Sequence, residues 1–162
     1  MTSYLFRAPA GIAGSVTRID QSNIEPCFLE FDTIPYGAPL KVGSNGKFRL
    51  FDAGSVANEF YGVLTRIAPA ISNLPETYAG GTAEMDSPQG VIVRGYVNVV
   101  CGVGVPTRGY PAFVRVVDGG VGKPIGQFEA TADGVNNVQL VGVTWGVDGK
   151  DSFNNAELHI AR

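Results

Sequence analysis

The chain has 162 residues, 44% of them apolar and only 17% charged, with a net charge of -3. This length gives one domain that buries roughly two-thirds of its unfolded surface and folds without a metal or disulfide. The 22 glycines and 10 prolines carry no period, which excludes collagen and helical bundles, and the dispersed basic residues give no stripe for nucleic acid.

Residues 1–26 read as an extended N-terminal arm that either docks on another surface or folds back on its own domain. Tyr4, Leu5 and Phe6 are apolar, Arg7 follows, and glycines at 11 and 14 and prolines at 9 and 26 deny the segment a regular period. A single β domain is expected over 27–162. Strands are expected at 27–31, 39–42 and 47–51, with Ser44-Asn45-Gly46 as the hairpin turn between the last two. Residues 55–67 fit a helix stripe capped by Ser55 or a strand. Gly62, Thr65 and the adjacent Phe60 and Tyr61 favour the strand. Residues 68–89, with Pro69, Pro75, Pro88 and Gly80-Gly81, form a connection longer than compact domains usually carry, and so a second candidate contact surface.

The stretch 90–120 is expected to hold two strands, 90–100 and 112–117. Val91, Val93, Val97 and Val99 alternate on one face, and Phe113, Arg115 and Val117 continue that alternation. Strands at 125–131, 137–145 and 156–161 complete the chain. Asp-Gly at 118–119, 133–134 and 148–149 marks turns fifteen residues apart, so 112–161 reads as a four-stranded meander. The fold class is all-β: a compact β-sandwich or jelly-roll-like barrel with an N-terminal arm and one long loop.

Catalytic chemistry finds little support. His159 is the only histidine and alternates with Leu158 and Ile160, facing away from them. The three Asp-Gly aspartates belong to turns. Asp148 and Asp151 lack the alternating ligands of a calcium loop. Gly11-x-x-Gly14 and Gly102-x-Gly104 match no phosphate or dinucleotide loop. Trp145 reads as a core anchor and Cys101 as a small apolar filler; a Cys27–Cys101 disulfide is neither required nor excluded. No catalytic, metal or cofactor site is expected. No stretch is apolar enough to span a bilayer as a helix, no secretory signal is seen, and synthesis in a reducing cytoplasm is expected. A small carbohydrate-binding β-sandwich using Tyr78, Tyr96 or Tyr110 is an alternative.

In their order along the chain, YLFRAPAGIAGSVTR, FYGVLTRIAP at 60–69, QGVIVRGYVNV at 89–99 and the run from PTRGYPAFVRVVDG to the terminal ELHIAR resemble the structural cement, or head-decoration, proteins of tailed bacteriophages. The likeness covers nearly the whole chain and carries no catalytic motif. It implies a β protein on the outer face of the capsid that strengthens boundaries between subunits. Its expected partners are the major capsid protein and itself, as a homodimer rather than a trimer, with no nucleic acid, membrane or cofactor. The expected capsid contacts are Tyr4, Leu5, Phe6, Arg7, Pro75 and Tyr78. A tail or baseplate β protein is the alternative within the virion.

Overall fold

The computed structural model describes residues 11–31, 34–66, 82–83, 85 and 87–162. Among them the regular structure is β, with three short 3-10 turns and no α-helix. The strands are β1 (Asn23–Cys27), β2 (Ile34–Pro35), β3 (Pro39–Val42), β4 (Phe48–Leu50), β5 (Phe60–Thr65), β6 (Thr82–Ala83), β7 (Gln89–Val103), β8 (Pro111–Arg115), β9 (Phe128–Glu129), β10 (Asn137–Trp145) and β11 (Asn155–Ile160).

Pairing closes nine of these strands into two five-stranded barrels that share β7, and β2 pairs with β6 apart from them. In the first, β1 pairs with the start of β7, β7 with β5, β5 with β3 and β3 with β4, all antiparallel. The chain leaving β1 then closes on β4 through a parallel Leu29–Phe48 bridge, with Phe48 N–H on Phe28 O at 2.8 Å and Glu30 N–H on Phe48 O at 2.7 Å. In the second, the end of β7 pairs with β11, β11 with β10, β10 with β8 and β8 with β9, again antiparallel, and β9 closes on β7 in parallel. Numbering each barrel's strands one to five, both run 1-5-4-2-3 and close 3 onto 1. Strand β7 is the fifth strand of one barrel and the first of the other. Closure removes the unpaired edges that an open sheet would expose.

The identical order exposes a repeat in the sequence. Each second strand is entered through Gly-x-Pro, at Gly37-Ala38-Pro39 and Gly109-Tyr110-Pro111, and both glycines have φ +81°. Each third strand is entered through Gly-x-Phe, at Gly46-Lys47-Phe48 and Gly126-Gln127-Phe128. Each fourth strand holds a large apolar residue, a spacer, then Gly-Val: Phe60, Gly62 and Val63 against Leu140, Gly142 and Val143. The turn bonds match too. Gly37 N–H donates to Leu64 O at 2.8 Å and Leu64 N–H to Ala38 O at 2.9 Å; Gly109 N–H donates to Trp145 O at 2.8 Å and Trp145 N–H to Tyr110 O at 2.9 Å.

Two cores follow from the two barrels. Leu29, Leu40, Leu64 and Val91 fill the smaller one. Val97, Val99, Val114, Leu140, Trp145 and Leu158 belong to the larger, where Phe60, Val63 and Ile92 of the first barrel join them. Strands β5 and β7 are therefore covered on both faces, which is why they read as nearly continuous apolar runs.

Several expectations change. Val91 and Val93 do not share a core with Val97 and Val99, because β7 passes from one barrel to the other at Gly95, whose φ of +121° breaks the alternation. In β8 the inward residues are Ala112 and Val114, followed by Val116; Val117 is exposed and Arg115 is buried by charge pairing instead. The meander is absent: two-residue β9 lies between β8 and β7, so β10 reaches β8 directly. The expected strands at 39–42 and 137–145 stand unchanged, the Asn-Gly hairpin joins β3 to β4, and residues 55–67 contain strand β5.

Candidate functional site

Residues 11–17, expected within the arm, form a strap along the middle of β7. Gly14 N–H donates to Asn98 O at 2.8 Å, Asn98 N–H to Ser15 O at 2.9 Å, and Thr17 N–H to Tyr96 O at 3.1 Å. The strap sits against the first Gly-x-Pro turn. A Cβ on Gly37 would lie 2.9 Å from Gly14 N and 3.0 Å from Ala13 Cβ, so only glycine admits the strap there. Gly14 O accepts Arg66 N–H at 2.8 Å, and the Arg66 guanidinium lies 4.6 Å over the Tyr36 ring. Pro35 in turn pairs with Thr82. The base of the arm, Arg66 just before the long connection and Thr82 within it thus come together around Tyr36 and Gly37. Tyr4, Leu5, Phe6, Arg7, Pro75 and Tyr78 lie outside the described residues.

The strap continues onto the outside of the second barrel. Arg18 sits 3.8 Å over one face of Tyr96, and His159 stacks on the ring at 4.3 Å with 13° between planes. Both faces of Tyr96 are covered, which removes the flat surface a sugar would need. Glu157 anchors the strap, accepting from Thr17 Oγ1 at 2.6 Å and Arg18 at 2.9 Å. Beside this stack, Arg18, Tyr96, Arg108, Gly109, Trp145 and His159 line a concavity of roughly 260 Å3. Arg108 Nε donates to Gly146 O at 2.9 Å, which holds its side chain along the rim.

The charged clusters elsewhere tie loops down. Arg115, 2% exposed, donates to Glu129, 0% exposed, at 2.6 and 3.1 Å, and to Asp133 at 2.6 Å. Asn137 Nδ2 also donates to Glu129, at 2.5 Å. In the first barrel Lys41, buried, contacts Asp52 at 2.7 Å and Ser55 at 3.0 Å, and Arg49 pairs with Asp52. Each barrel therefore neutralises a cation on its second strand with an aspartate that follows its third. Asp133 and Asp148 do more than close their own turns, since Asp148 accepts the N–H of Arg108 at 3.0 Å. Asp151 accepts the N–H groups of Phe153 and Asn155. Among the described residues, no three His, Cys, Asp or Glu side chains gather as metal ligands would.

Hydrogen bonds from Arg115 hold the Asp133 carboxyl below the usual range. Burial would raise Asp52, but bonds to Lys41 and Ser55 and the charges of Lys41 and Arg49 outweigh it and hold this carboxyl low as well. A lowered carboxyl stabilises the fold above its unfolded pKa of about 4, and that stability drains away as pH falls through the lowered value. Urea midpoints should therefore be flat from pH 7 to 5 and drop below pH 4, and D133N should flatten the drop. Cys27 and Cys101 sit in different cores as free thiols, and burial pushes both up to about 11. Neither should react with a thiol reagent at pH 8 until the chain unfolds, when both should titrate.

A shared strand, double closure and, among the described residues, charged clusters that hold loops define a closed β scaffold. The family model described as XM1 gp53 minor capsid protein matches residues 1–160. The chain belongs to that family and is a phage capsid-associated structural protein of the virion. A solved chain from the capsid of Myoviridae phage XM1 shares its fold, with a TM-score of 0.73 at 15% identity over 99% of this chain and 96% of that one. No curated protein matches the chain. The sequence expectation of a phage capsid protein with an all-β fold is met.

Proposed function

We propose that the protein binds the outer surface of the assembled head and cements neighbouring capsid subunits, with the major capsid protein as its partner and a homodimer as its bound form. The observation that carries this reading is the junction at Gly14, Tyr36, Gly37 and Arg66, where the arm and the long connection depart together from a doubly closed scaffold. Two segments leaving one rigid anchor can lie together in a groove between subunits. Contacts that are weak singly then add through effective concentration. Tyr4, Leu5, Phe6 and Arg7 on the arm, and Pro75 and Tyr78 on the connection, supply those contacts.

The test is binding of purified protein to undecorated heads. Micromolar protein should saturate them and raise their resistance to heat, and a head that stays bare refutes the proposal. Deleting residues 1–10, which leaves Ala13 and Gly14 on Gly37, should weaken head binding about 10-fold or more and move the unfolding midpoint by no more than about 2 °C. Equal binding of the truncated protein would remove the arm from the contact. Light scattering of the free protein should give the mass of two chains.

A further inference from the structure

The two Gly-x-Pro turns have the same backbone but different covers. At Gly37 the turn is sealed by Ala13 and Gly14, and Ala38 beside it is 6% exposed. At Gly109 a Cβ would meet nothing within 4 Å among the described residues, and Tyr110, in the place of Ala38, is 64% exposed. The concavity beside the Arg18–Tyr96–His159 stack opens at this uncovered turn. It is bordered by the end of β10, as the first seat is bordered by the end of β5, where Arg66 bonds Gly14. The loops around it are held: Gly149 N–H donates to Pro106 O at 2.8 Å and Arg108 N–H to Asp148 at 3.0 Å. A large aromatic side chain stands in water on a backbone that is already ordered.

We propose that this second turn is an open copy of the seat that the strap fills in the first barrel, and that it takes a tight turn of small residues from a capsid subunit. This rests on the cementing reading and adds a second grip, on the other barrel from the arm. The repeat identifies the kind of occupant, because the equivalent turn is filled by Ala13-Gly14 in a tight turn, closed by Ser15 N–H on Ile12 O at 3.1 Å with Gly14 at φ +85°, lying on the glycine. Charge refines it. Arg18 is already paired with Glu157, but among the described residues the Arg108 guanidinium on the rim spends only its Nε, on the Gly146 carbonyl, and favours an occupant that carries a carboxylate next to its small residue. Pre-ordered loops reduce the entropy lost on docking, so even a short segment is held.

Two variants test the seat without touching the core. Tyr110→Ser removes the exposed aromatic, and Thr144→Tyr fills the concavity from the half-buried outer side of β10. Both should keep the wild-type unfolding midpoint and lose about 10-fold or more in affinity for undecorated heads. Wild-type binding that survives both variants within about twofold overturns the second grip and leaves the cementing reading intact. Wild-type protein that never binds heads overturns the cementing reading itself. A photo-cross-linking residue at position 110 should join the protein to the capsid subunit on decorated heads. Cross-linking to a second copy of this chain, or to nothing while the protein is bound, overturns the proposed occupant.

Discussion

Glu129→Ala should lower the unfolding free energy by about 3–5 kcal/mol, the usual cost of removing one partner from a buried ion pair. Glu129 is wholly buried and accepts both from the Arg115 fork and from Asn137. Without it the Arg115 guanidinium keeps only Asp133, whose side chain is 42% exposed. The damage would reach the second barrel's closure, because Glu129 is half of β9 and β9 is the strand that joins β8 to β7. The sign is checked by the pair replacement. Arg115→Met with Glu129→Leu removes both charges and should cost less than the single Glu129→Ala change, since no buried charge is left unpaired. Urea unfolding of the three variants measures this, and a double variant weaker than the single would show that the pair contributes net stability.

The second large effect is expected at Gly95. Its φ of +121° is nearly closed to any residue with a side chain, and a Cβ there would lie 2.7 Å from Ser22 Cα and 2.8 Å from Ser22 Cβ. Gly95→Ala should cost about 3 kcal/mol or more, combining backbone strain with a clash that the chain entering β1 cannot easily yield to. Gly120→Ala is the control. Its φ of +79° is also left-handed, but a Cβ there meets nothing within 4 Å among the described residues, so its cost should stay near 1 kcal/mol. Equal midpoints for the two variants would mean that the crossing at Gly95 is not tightly held. A large gap would locate the joint between the barrels at that residue.

Both sites show why the strands were legible and their arrangement was not. Valine alternation marks β7 and β10, Asn-Gly marks the β3–β4 hairpin, and paired aromatics beside a glycine mark β5. These are local signals, set by side-chain period and turn geometry. The repeat is local as well, in Gly-x-Pro, Gly-x-Phe and Gly-Val, yet it hides because its register shifts. Gly37 and Gly109 lie 72 positions apart, while Gly46 and Gly126, and Gly62 and Gly142, lie 80 apart. The longer connection between β8 and β9 absorbs the difference. Arg115 misled for another reason. Period two puts it on the face of the alternating valines, but Ala112 and Val114 take the core face, and only the approach of Glu129 and Asp133 makes the burial of Arg115 tolerable.

The amino-acid sequence by itself determined that this protein is all-β and rich in turns, and its resemblance to phage head proteins pointed to the capsid family to which the chain belongs. It also singled out the long connection and placed Trp145 in the core, where it is 1% exposed. Only the tertiary structure decided that one strand serves two barrels, that residues 11–17 are a strap, and that the Gly109 turn is an uncovered counterpart of the Gly37 turn. The reason is physical. Period and turn chemistry act over a few residues, whereas closure of a barrel depends on which distant edges meet, and that is set by the burial of both cores at once.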